Sequence, residues 1–495
     1  MNYKAIFRVV SYALLLEAIC MIPGMLLCLM DGEPRVALAY LAAIAVILAV
    51  SIPLYRQGKK APAAFYAQEG FVATSLAWIV LSMLGCLPFV FSGQIPSYVD
   101  AVFEMVSGFT TTGASILTDV EAMSRGLLLW RSFSHWLGGM GILVFLLAVL
   151  PLVGGSYMQL MKAESPGPSV GKLVPKVRFT ARILYVLYVA LTVLQVLVML
   201  LGGMTFYEAL CTSFGTAGTG GFGIYGDSIA GFSPFLQWAI TIFMIAFGVN
   251  FNVYFLLYMR RPKDALHCEE MHWYLGIIVA AALMICANAY DVAMTLEGNL
   301  RQSFFQVASI ITTTGFATTD FNLWPGFSHG ILVVLMFVGA CAGSTGGGFK
   351  VSRIVIGFKS VLAYLGAFLH PRVVRKVKFE DKDVDGETMR AISAYFTAAI
   401  GLFTISVLLV ALDGFDLVTT FSAVAATFNN VGPGLGVAGP TSNFAAFSDF
   451  SKVVMTMDML LGRLEVFPML MLFYPPLWKE SIGEARIRRN RSPFH

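Results

Sequence analysis

Ser107-Gly108-Phe109-Thr110-Thr111-Thr112-Gly113 decides how this chain folds, because similar glycine-bearing segments return three more times, each before an apolar stretch. The other copies are Gly218-Thr219-Gly220-Gly221-Phe222, Ile311-Thr312-Thr313-Thr314-Gly315-Phe316 and Phe428-Asn429-Asn430-Val431-Gly432-Pro433-Gly434. Glycine and threonine are poor helix formers, and unpaired carbonyls inside an apolar protein need a polar partner. A dehydrated cation is such a partner, since rings of backbone carbonyls can replace its hydration shell. Four loops in one chain would complete one ring.

The composition places the chain in a membrane. Of its 495 residues, 57% are hydrophobic and only 13% are charged, whereas soluble domains carry roughly 25% charged residues. Apolar windows of about 20 residues recur along the chain, which is the length that spans about 30 Å of hydrocarbon. The seven cysteines show no paired or metal-type spacing, so we expect them to pack as small apolar residues. The sequence therefore predicts an all-α polytopic membrane protein.

Ten membrane helices are predicted. Their expected ranges are 11–30, 36–55, 70–92, 127–151, 181–202, 233–258, 273–290, 328–369, 392–412 and 452–474. Most of the 33 Lys and Arg residues fall on the side that carries both termini, so the positive-inside rule makes both termini cytoplasmic. Acidic residues such as Asp100, Glu104 and Glu121 dominate the other side, where we expect them to keep the surface wet and concentrate cations.

A short helix is predicted before each glycine-ended loop. The four helices lie near 100–110, 206–216, 300–312 and 416–428, and they start beside Asp100, Glu208, Asn299 and Asp416. An acid at a helix start suits the positive end of the helix dipole. Because the helices are too short to span, we expect re-entrant helices whose C-terminal ends point to the membrane midplane. Close packing through small residues would explain one such segment, but not four at matching places.

The repeated unit divides the chain into five parts. A two-helix extension occupies 1–62, and pore repeats occupy 63–175, 176–265, 266–385 and 386–495, the last with a cytoplasmic tail.

These loops resemble the TrkH/KtrB (Trk/Ktr/HKT) superfamily of potassium uptake proteins, as do Gly339-Ala340-Cys341-Ala342-Gly343-Ser344-Thr345-Gly346-Gly347-Gly348 and Asp458-Met459-Leu460-Leu461-Gly462-Arg463-Leu464-Glu465. The N-terminal helix pair makes the chain more similar to the TrkH branch. The resemblance implies four K⁺-channel-like helix–pore loop–helix repeats around one pore, with K⁺ as the transported ion and no organic cofactor. Its filter glycine corresponds to Gly113, Gly221, Gly315 and Gly432, although the loops share only that glycine with the TVGYG signature. The residues expected to form the K⁺ filter are Thr111, Thr112, Gly113, Gly220, Gly221, Thr313, Thr314, Gly315, Asn430, Val431 and Gly432.

The stretch 339–348 interrupts a predicted helix that would otherwise be too long. Irregular backbone at membrane depth is tolerated only within protein or beside water, so we expect a flexible gating loop below the filter. Its gating residues would be Gly343, Ser344, Thr345, Gly346, Gly347 and Gly348. A packing kink is the alternative, whereas a phosphate-binding loop is disfavoured because Phe349 stands where that motif needs Lys.

Arg463 lies near the middle of the last predicted span. An intramembrane arginine is costly and usually faces a cavity or a partner, so a pore-facing or inter-helix role is favoured over an ion pair with Asp458 or Glu465.

His135 is interpreted as a polar helix-packing residue. The basic stretch 372–378 suits lipid headgroups and a docking partner equally well.

The leading hypothesis is a K⁺-selective translocator in the cytoplasmic membrane. An intramembrane enzyme is disfavoured because no paired aspartates or Ser/His pair is visible, and parallel repeats argue against an alternating-access transporter. The remaining alternative is a Na⁺-conducting or Na⁺/H⁺-coupled protein of the same fold.

The chain has no nucleotide-binding domain, so we expect a separate soluble protein to dock on the cytoplasmic segments 162–182, 350–390 and 475–495. The resemblance implies a homodimer above a ring of Rossmann-type, TrkA-like subunits that bind ATP, ADP or NAD(H), and no nucleic acid.

Overall fold

The computed structural model describes residues 1–59, 67–141, 177–369, 376–476 and 478. Within these ranges seven helices are long and apolar enough to cross a membrane, and an eighth candidate is a pair bent by 87° between Pro234–Gly248 and Phe251–Tyr258. Two-residue strands form the one small sheet of the described part. The predicted all-α membrane fold is confirmed.

The elements follow one another in this order. They are α1 (Tyr3–Cys20), α2 (Ile22–Met30), α3 (Pro34–Gly58), α4 (Ala67–Gly85), α5 (Leu87–Phe91), α6 (Tyr98–Phe109), α7 (Arg125–Gly139), α8 (Val177–Leu201), α9 (Phe206–Gly218), α10 (Pro234–Gly248), α11 (Phe251–Tyr258), α12 (Pro262–Leu266), α13 (Glu269–Asn288), α14 (Leu296–Ile311), α15 (Gly326–Val338), α16 (Val351–Leu369), β1 (Lys378–Phe379), β2 (Lys382–Asp383), α17 (Gly386–Val410), α18 (Leu417–Phe428), α19 (Asp449–Arg463) and α20 (Phe467–Leu472). Short 3₁₀ turns lie at Phe321–Leu323, Ala411–Asp413, Gly436–Ala438 and Phe444–Ala446.

The first three helices pack against the side of the remaining bundle. Helices α1 and α3 approach closely enough for the Ser51 hydroxyl to donate to the Ser11 carbonyl at 3.0 Å. The Tyr40 hydroxyl donates to the Gly126 carbonyl at 2.9 Å, which ties α3 to the start of α7. Chain segments 1–30 and 34–58 therefore pack together outside the loop-bearing part.

The short helices α6, α9, α14 and α18 stand where the sequence places them, but their caps differ from expectation. Their N-cap residues are Ser97, Thr205, Thr295 and Asp416, whose side chains accept the amide three residues further on. Of the four residues expected at the helix starts, only Asp416 is the N-cap residue of its helix. Asp100 and Glu208 lie within the first turn, where an acid still favours the helix dipole. Asn299 instead accepts the Asp291 amide at 2.9 Å.

The helices that follow the loops are broken, which corrects three of the predicted spans. The range 233–258 turns by 87° after Gly248, because Asn250 caps a new helix. The range 452–474 is interrupted after Arg463, where Glu465 and Val466 have φ of 57° and 65°. Helix α7 ends at Gly139, so 127–151 is not one continuous helix over its described part, and 142–151 lies outside the described residues. The predicted interruption within 328–369 is confirmed between α15 and α16.

The polarity of the bundle is inverted relative to a water-soluble protein. Large apolar side chains on its perimeter are exposed, such as Leu197 at 53% and Leu408 at 65%. Hydroxyl side chains occupy its centre, where Thr112 and Thr314 are fully buried. Lipid therefore solvates the outer face, while the polar centre contains the glycine-ended loops.

Candidate functional site

All four glycine-ended loops have the same backbone conformation. The residues two positions before the glycines are left-handed, with φ of 56°, 56°, 58° and 56° for Thr111, Thr219, Thr313 and Asn430. Each donates its amide to the carbonyl three residues back at 3.0–3.2 Å, and the next residue donates to the carbonyl five residues back at 2.8–2.9 Å. This is the Schellman ending of a helix, which normally takes glycine or asparagine at the left-handed position. Threonine there is strained, so the surroundings must hold it in place.

The glycines themselves close the loops into a ring. Gly113, Gly221, Gly315 and Gly432 have φ of 82°, 72°, 85° and 100°. A Cβ atom added to each would overlap a carbonyl oxygen of the next loop: those of Gly220, Thr314, Val431 and Thr112, in that order. The fourth loop thus faces the first. Two features therefore require glycine at each of these positions: the positive φ and the carbonyl oxygen that leaves no space for a side chain.

The structure brings all eleven residues of the expected filter to this ring. It also adds Thr219, which the sequence reasoning missed although it stands two positions before Gly221, as Thr111 stands before Gly113. Aligning the loops on their glycines would have found it. The four glycines are among the residues that line an open pocket of about 100 Å³.

The threonine hydroxyls brace the loops from within. The Thr110 and Thr112 hydroxyls lie 2.7 Å apart, and the Thr312 and Thr314 hydroxyls repeat the same contact at 2.7 Å. Thr110 also binds the Val106 carbonyl at 2.6 Å. The short helices end at the ring, so their partial negative charge points toward it. Main-chain oxygens and helix dipoles together make the ring a favourable place for a cation.

His135 packs behind the second loop. Its Nδ1 lies 2.8 Å from the Gly108 carbonyl, and its Nε2 accepts the Phe222 amide at 3.3 Å. Because Nε2 accepts, the proton resides on Nδ1, which donates to Gly108. The interpretation of His135 as a polar packing residue agrees with this geometry.

A buried ion pair joins the first two loops, and it corrects the placement of Glu104 on the wet outer surface. Glu104 is 1% exposed, and its Oε1 lies 2.5 Å from Nε of Arg131. Arg131 also donates to the Gly223 carbonyl at 2.9 Å, and Glu104 accepts the Ile116 amide at 2.9 Å. The pair therefore fixes the backbone just beyond Gly113 and Gly221.

A second circle of hydrogen bonds joins successive loops on the pocket side of the ring. These bonds run from Gly226 N to Glu121 Oε1 at 3.2 Å, from Ile229 N to Ala317 O at 3.0 Å, from Gly436 N to Asn322 Oδ1 at 3.0 Å and from Phe444 N to Ser115 O at 2.8 Å. Each loop is thereby fixed sideways to the next.

Residues 339–350, which we call the 339–350 loop, lie against the opposite side of the ring. The Gly347 amide donates to the Thr313 hydroxyl at 2.6 Å, and the Gly348 amide donates to the Asn429 carbonyl at 3.1 Å. The loop therefore contacts residues that come before Gly315 and Gly432 in sequence, whereas the pocket is lined by the glycines themselves. All six expected gating residues fall within this loop. Ser344 binds the Cys341 carbonyl at 2.6 Å.

Arg463 is the last residue of α19 and not the middle of a helix, which corrects its predicted position. Its guanidinium donates to the carbonyls of Thr345 at 2.9 Å and of Gly139 at 2.8 Å, and to the Thr111 hydroxyl at 3.4 Å. The two carboxylates considered as partners bind elsewhere: Asp458 accepts from Ser406 at 2.6 Å and Glu465 pairs with Arg353 at 2.6 Å. Arg463 therefore connects the first glycine-ended loop, the end of α7 and the 339–350 loop.

Much of the predicted docking surface falls outside the described residues. This holds for 162–176, for 370–375 with most of the basic stretch 372–378, and for 479–495.

The comparisons with known proteins agree with this architecture. A family model described as "Cation transport protein", TrkH, matches residues 37–287 and 277–480. The "Trk system potassium uptake protein TrkH" of Salmonella typhimurium is 37% identical over 492 residues, which are 97% of this chain and 100% of that protein. The "Trk system potassium uptake protein TrkG" of Escherichia coli K12 is 30% identical, and the match covers 97% of this chain and 99% of that protein. The crystal structure of the potassium transporter TrkH from Vibrio parahaemolyticus matches with a TM-score of 0.86 at 31% identity, covering 97% of this chain and 100% of that one.

Proposed function

Since the chain belongs to the TrkH family of cation transport proteins, we propose that it takes up K⁺ selectively across the cytoplasmic membrane. It is a multi-span transport protein and not an enzyme, and the resemblance seen in the sequence is confirmed. The relatives named as potassium uptake proteins support K⁺ as the transported ion. In this proposal both termini are cytoplasmic, as the distribution of Lys and Arg favours.

The observation that carries the proposal is the ring, in which each filter glycine faces a carbonyl oxygen of the next loop. A dehydrated K⁺ needs oxygens on all sides, and backbone carbonyls held in a ring supply them without adding a charge. The residues that form the ion sites are those at 111–113, 220–221, 313–315 and 430–432, together with Thr219. The four repeats at 63–175, 176–265, 266–385 and 386–495 each contribute one quarter.

The 339–350 loop is the gate in this proposal. Its backbone lies against the ring on the side away from the pocket, so an ion that leaves the filter meets Gly346 and Gly347 next. Arg463 adds a positive charge at the same level and fastens the loop through the Thr345 carbonyl. Opening requires that these contacts break.

Regulation comes from outside the chain in this proposal. A homodimer of this chain would sit above a ring of cytosolic Rossmann-type, TrkA-like subunits that bind a nucleotide. The name of the relatives, which are parts of a Trk system, supports a multi-subunit assembly.

Cation flux in proteoliposomes tests the proposal. Purified protein should carry K⁺ and Rb⁺ in preference to Na⁺ and Li⁺. Repeating the K⁺ measurement with an imposed Na⁺ or H⁺ gradient separates the alternative, because a coupled transporter would follow that gradient while a selective pore would not. Equal rates for Na⁺ and K⁺ would refute the selective filter.

A further inference from the structure

One buried carboxylate holds both ends of the 339–350 loop. Glu270, in the first turn of α13, is 2% exposed. Its Oε1 accepts the amide of Ala342 at 2.7 Å and the amide of Ser352 at 3.1 Å. These two residues lie on either side of the segment that crosses below the ring. A single oxygen therefore closes this segment like a clasp.

The second oxygen of Glu270 reaches the neighbouring repeat. Its Oε2 accepts from Nδ2 of Asn250 at 3.2 Å, at the 87° bend between α10 and α11. The Phe251 amide beside it donates to the Gly343 carbonyl at 3.1 Å. The same carboxylate thus fixes the loop to the end of α10, and no ion pair among the described residues includes it.

A carboxylate is well suited to this position. Ser352 is in the first turn of α16, whose amides have no partner within the helix. An anion at a helix start is stabilised by those amides and by the helix dipole. Hydrogen bonds to a charged group are roughly twice as strong as neutral ones, so the bonds to Glu270 are among the stronger contacts that hold the loop.

A cytoplasmic hairpin holds Glu270 in turn. The turn between β1 and β2 contains Glu380 and Asp381, with φ of 50° and 58°. Two positive φ values in a two-residue turn normally require Asn-Gly or Gly-Gly, so this turn is strained. Glu380 Oε1 accepts the backbone amide of Glu270 at 3.2 Å and lies 3.3 Å from the Cys268 sulfur. The strained turn thus places the carboxylate of Glu380 at the start of α13.

The hairpin also contacts the helix at the other end of the loop. Lys359 of α16 forms an ion pair with Glu269 and donates to the Lys378 carbonyl at 2.9 Å. Phe379 is 3% exposed and anchors the hairpin in the core. The hairpin therefore bridges α13, which carries Glu270, and α16, which Glu270 caps.

We propose that Glu270 is a positioning residue that clasps the 339–350 loop shut, and that the 378–383 hairpin sets the clasp through Glu380. The inference rests on the proposed role of the loop as a gate. A cytosolic partner that pulls the hairpin would move the start of α13 and release the loop without touching it.

The clasp is tested by flux together with the reactivity of Cys341, a buried thiol within the loop. The variants are Glu270→Ala, Glu270→Gln and Glu380→Ala, with Asp381→Asn as the control because it lies in the same turn with an exposed side chain. Each is purified without partner, and its cysteines are labelled with a maleimide and quantified by mass spectrometry. Cys28, buried among the first helices, serves as the internal reference for an intact fold.

We expect Glu270→Ala to raise K⁺ flux and Cys341 labelling by about tenfold, as the loss of charged hydrogen bonds implies. Glu270→Gln keeps one accepting oxygen and should fall between this variant and the wild type. Glu380→Ala should raise both quantities less, and Asp381→Asn should leave them unchanged. The K⁺/Na⁺ ratio should stay constant throughout, which a general structural defect would not allow.

Wild-type rates of flux and Cys341 labelling in both alanine variants would overturn the clasp. If Cys28 labelling rises in Glu270→Ala, that variant has lost its fold and Glu380→Ala decides alone. A wild-type chain that carries no K⁺ would contradict the proposed function. Selective wild-type flux with unreactive Cys341 in the variants would contradict only the clasp.

Discussion

The ring and the 339–350 loop are both glycine-rich backbone within the bundle, but they are held in opposite ways. Four loops of one conformation form the ring, and each is joined to its neighbours by its glycine contact and by a second circle of hydrogen bonds. The 339–350 loop occurs once. Besides backbone bonds such as those of Gly348 to Asn429 and of Phe251 to Gly343, it depends on single side chains, chiefly Glu270, Arg463 and Thr313. A ring of mutually supporting parts resists change, whereas a segment that depends on single side chains can be loosened by replacing them. The first suits selection of an ion and the second suits gating.

The ring should be the less tolerant of the two regions, and Gly113→Ser tests this with the largest expected effect. A serine at this position would overlap the Gly220 carbonyl and oppose a φ of 82°. We expect the K⁺/Na⁺ flux ratio to fall by about tenfold or more, equivalent to about 1.4 kcal/mol.

Gly93→Ala is the matched control for Gly113→Ser. Gly93 has a similar φ of 75°, but a Cβ atom there would have no neighbour within 4 Å. Its substitution carries the backbone strain of about 1 kcal/mol without the overlap, and selectivity should not change. An unaltered ratio in Gly113→Ser would remove Gly113 from the filter.

Deletion of Gly343 to Gly347 tests the 339–350 loop as the releasable region. The deletion removes the Gly347 contact to Thr313 and the carbonyl of Thr345 that Arg463 binds. Flux should rise several-fold with little change in selectivity, since the ring keeps its own contacts. The response to a nucleotide-loaded partner should weaken. Lower flux through a folded, still selective protein would make the loop a structural support.

The residues of the ring could be predicted from the sequence because glycine and threonine stand out in an apolar chain. Gly113, Gly221 and Gly315 each follow polar or small residues that no lipid-facing helix needs. The breaks after Gly248 and Arg463 were not predicted. The residues around Gly248 are apolar enough to continue a span, and Arg463 with its neighbouring acids was interpreted as a polar site within a span. A break of this kind depends on tertiary partners, here the capping side chain of Asn250 and the bonds of Arg463 to other helices.

Glu104 and Glu270 show the same limit from the polar side. In a linear sequence an acid near a membrane boundary is expected to be wet. Glu104 is buried because Arg131 of another helix neutralises it, and Glu270 because amides of a distant loop bind it. Neither partner adjoins its acid in sequence, so only the fold reveals the pair.

Arg463→Ala probes the joint between the two regions, and we expect a moderate effect. The guanidinium binds the Thr111 hydroxyl on the ring side and the Thr345 carbonyl on the loop side. Its removal should raise K⁺ flux a few-fold, because a positive charge disappears from the proposed cation path and the loop loses an anchor. Arg125→Ala, an exposed arginine paired with Asp31, is the control. Loss of the folded protein without a rise in flux would assign Arg463 a purely structural role.

The smallest expected effect concerns how the fourth short helix is held at its outer end. Asp416 caps α18, and its carboxylate accepts the Thr419 amide at 3.1 Å and the Thr419 hydroxyl at 2.5 Å. The hydrogen bonds from Thr419, first from the side chain and then from the backbone, lower the pKa of Asp416 below its usual value.

A carboxyl whose folded pKa is depressed stabilises the protein above its unfolded pKa, and this stability is lost as the pH falls through the folded pKa. Asparagine caps helices as well as aspartate does, so Asp416→Asn should match the wild type in thermal unfolding at neutral pH and lose less stability in acid. Asp449→Asn, an exposed acid in the first turn of α19, is the control. Identical acid sensitivity of wild type and Asp416→Asn would show that the charge of Asp416 adds no stability to the folded protein beyond that of a neutral cap.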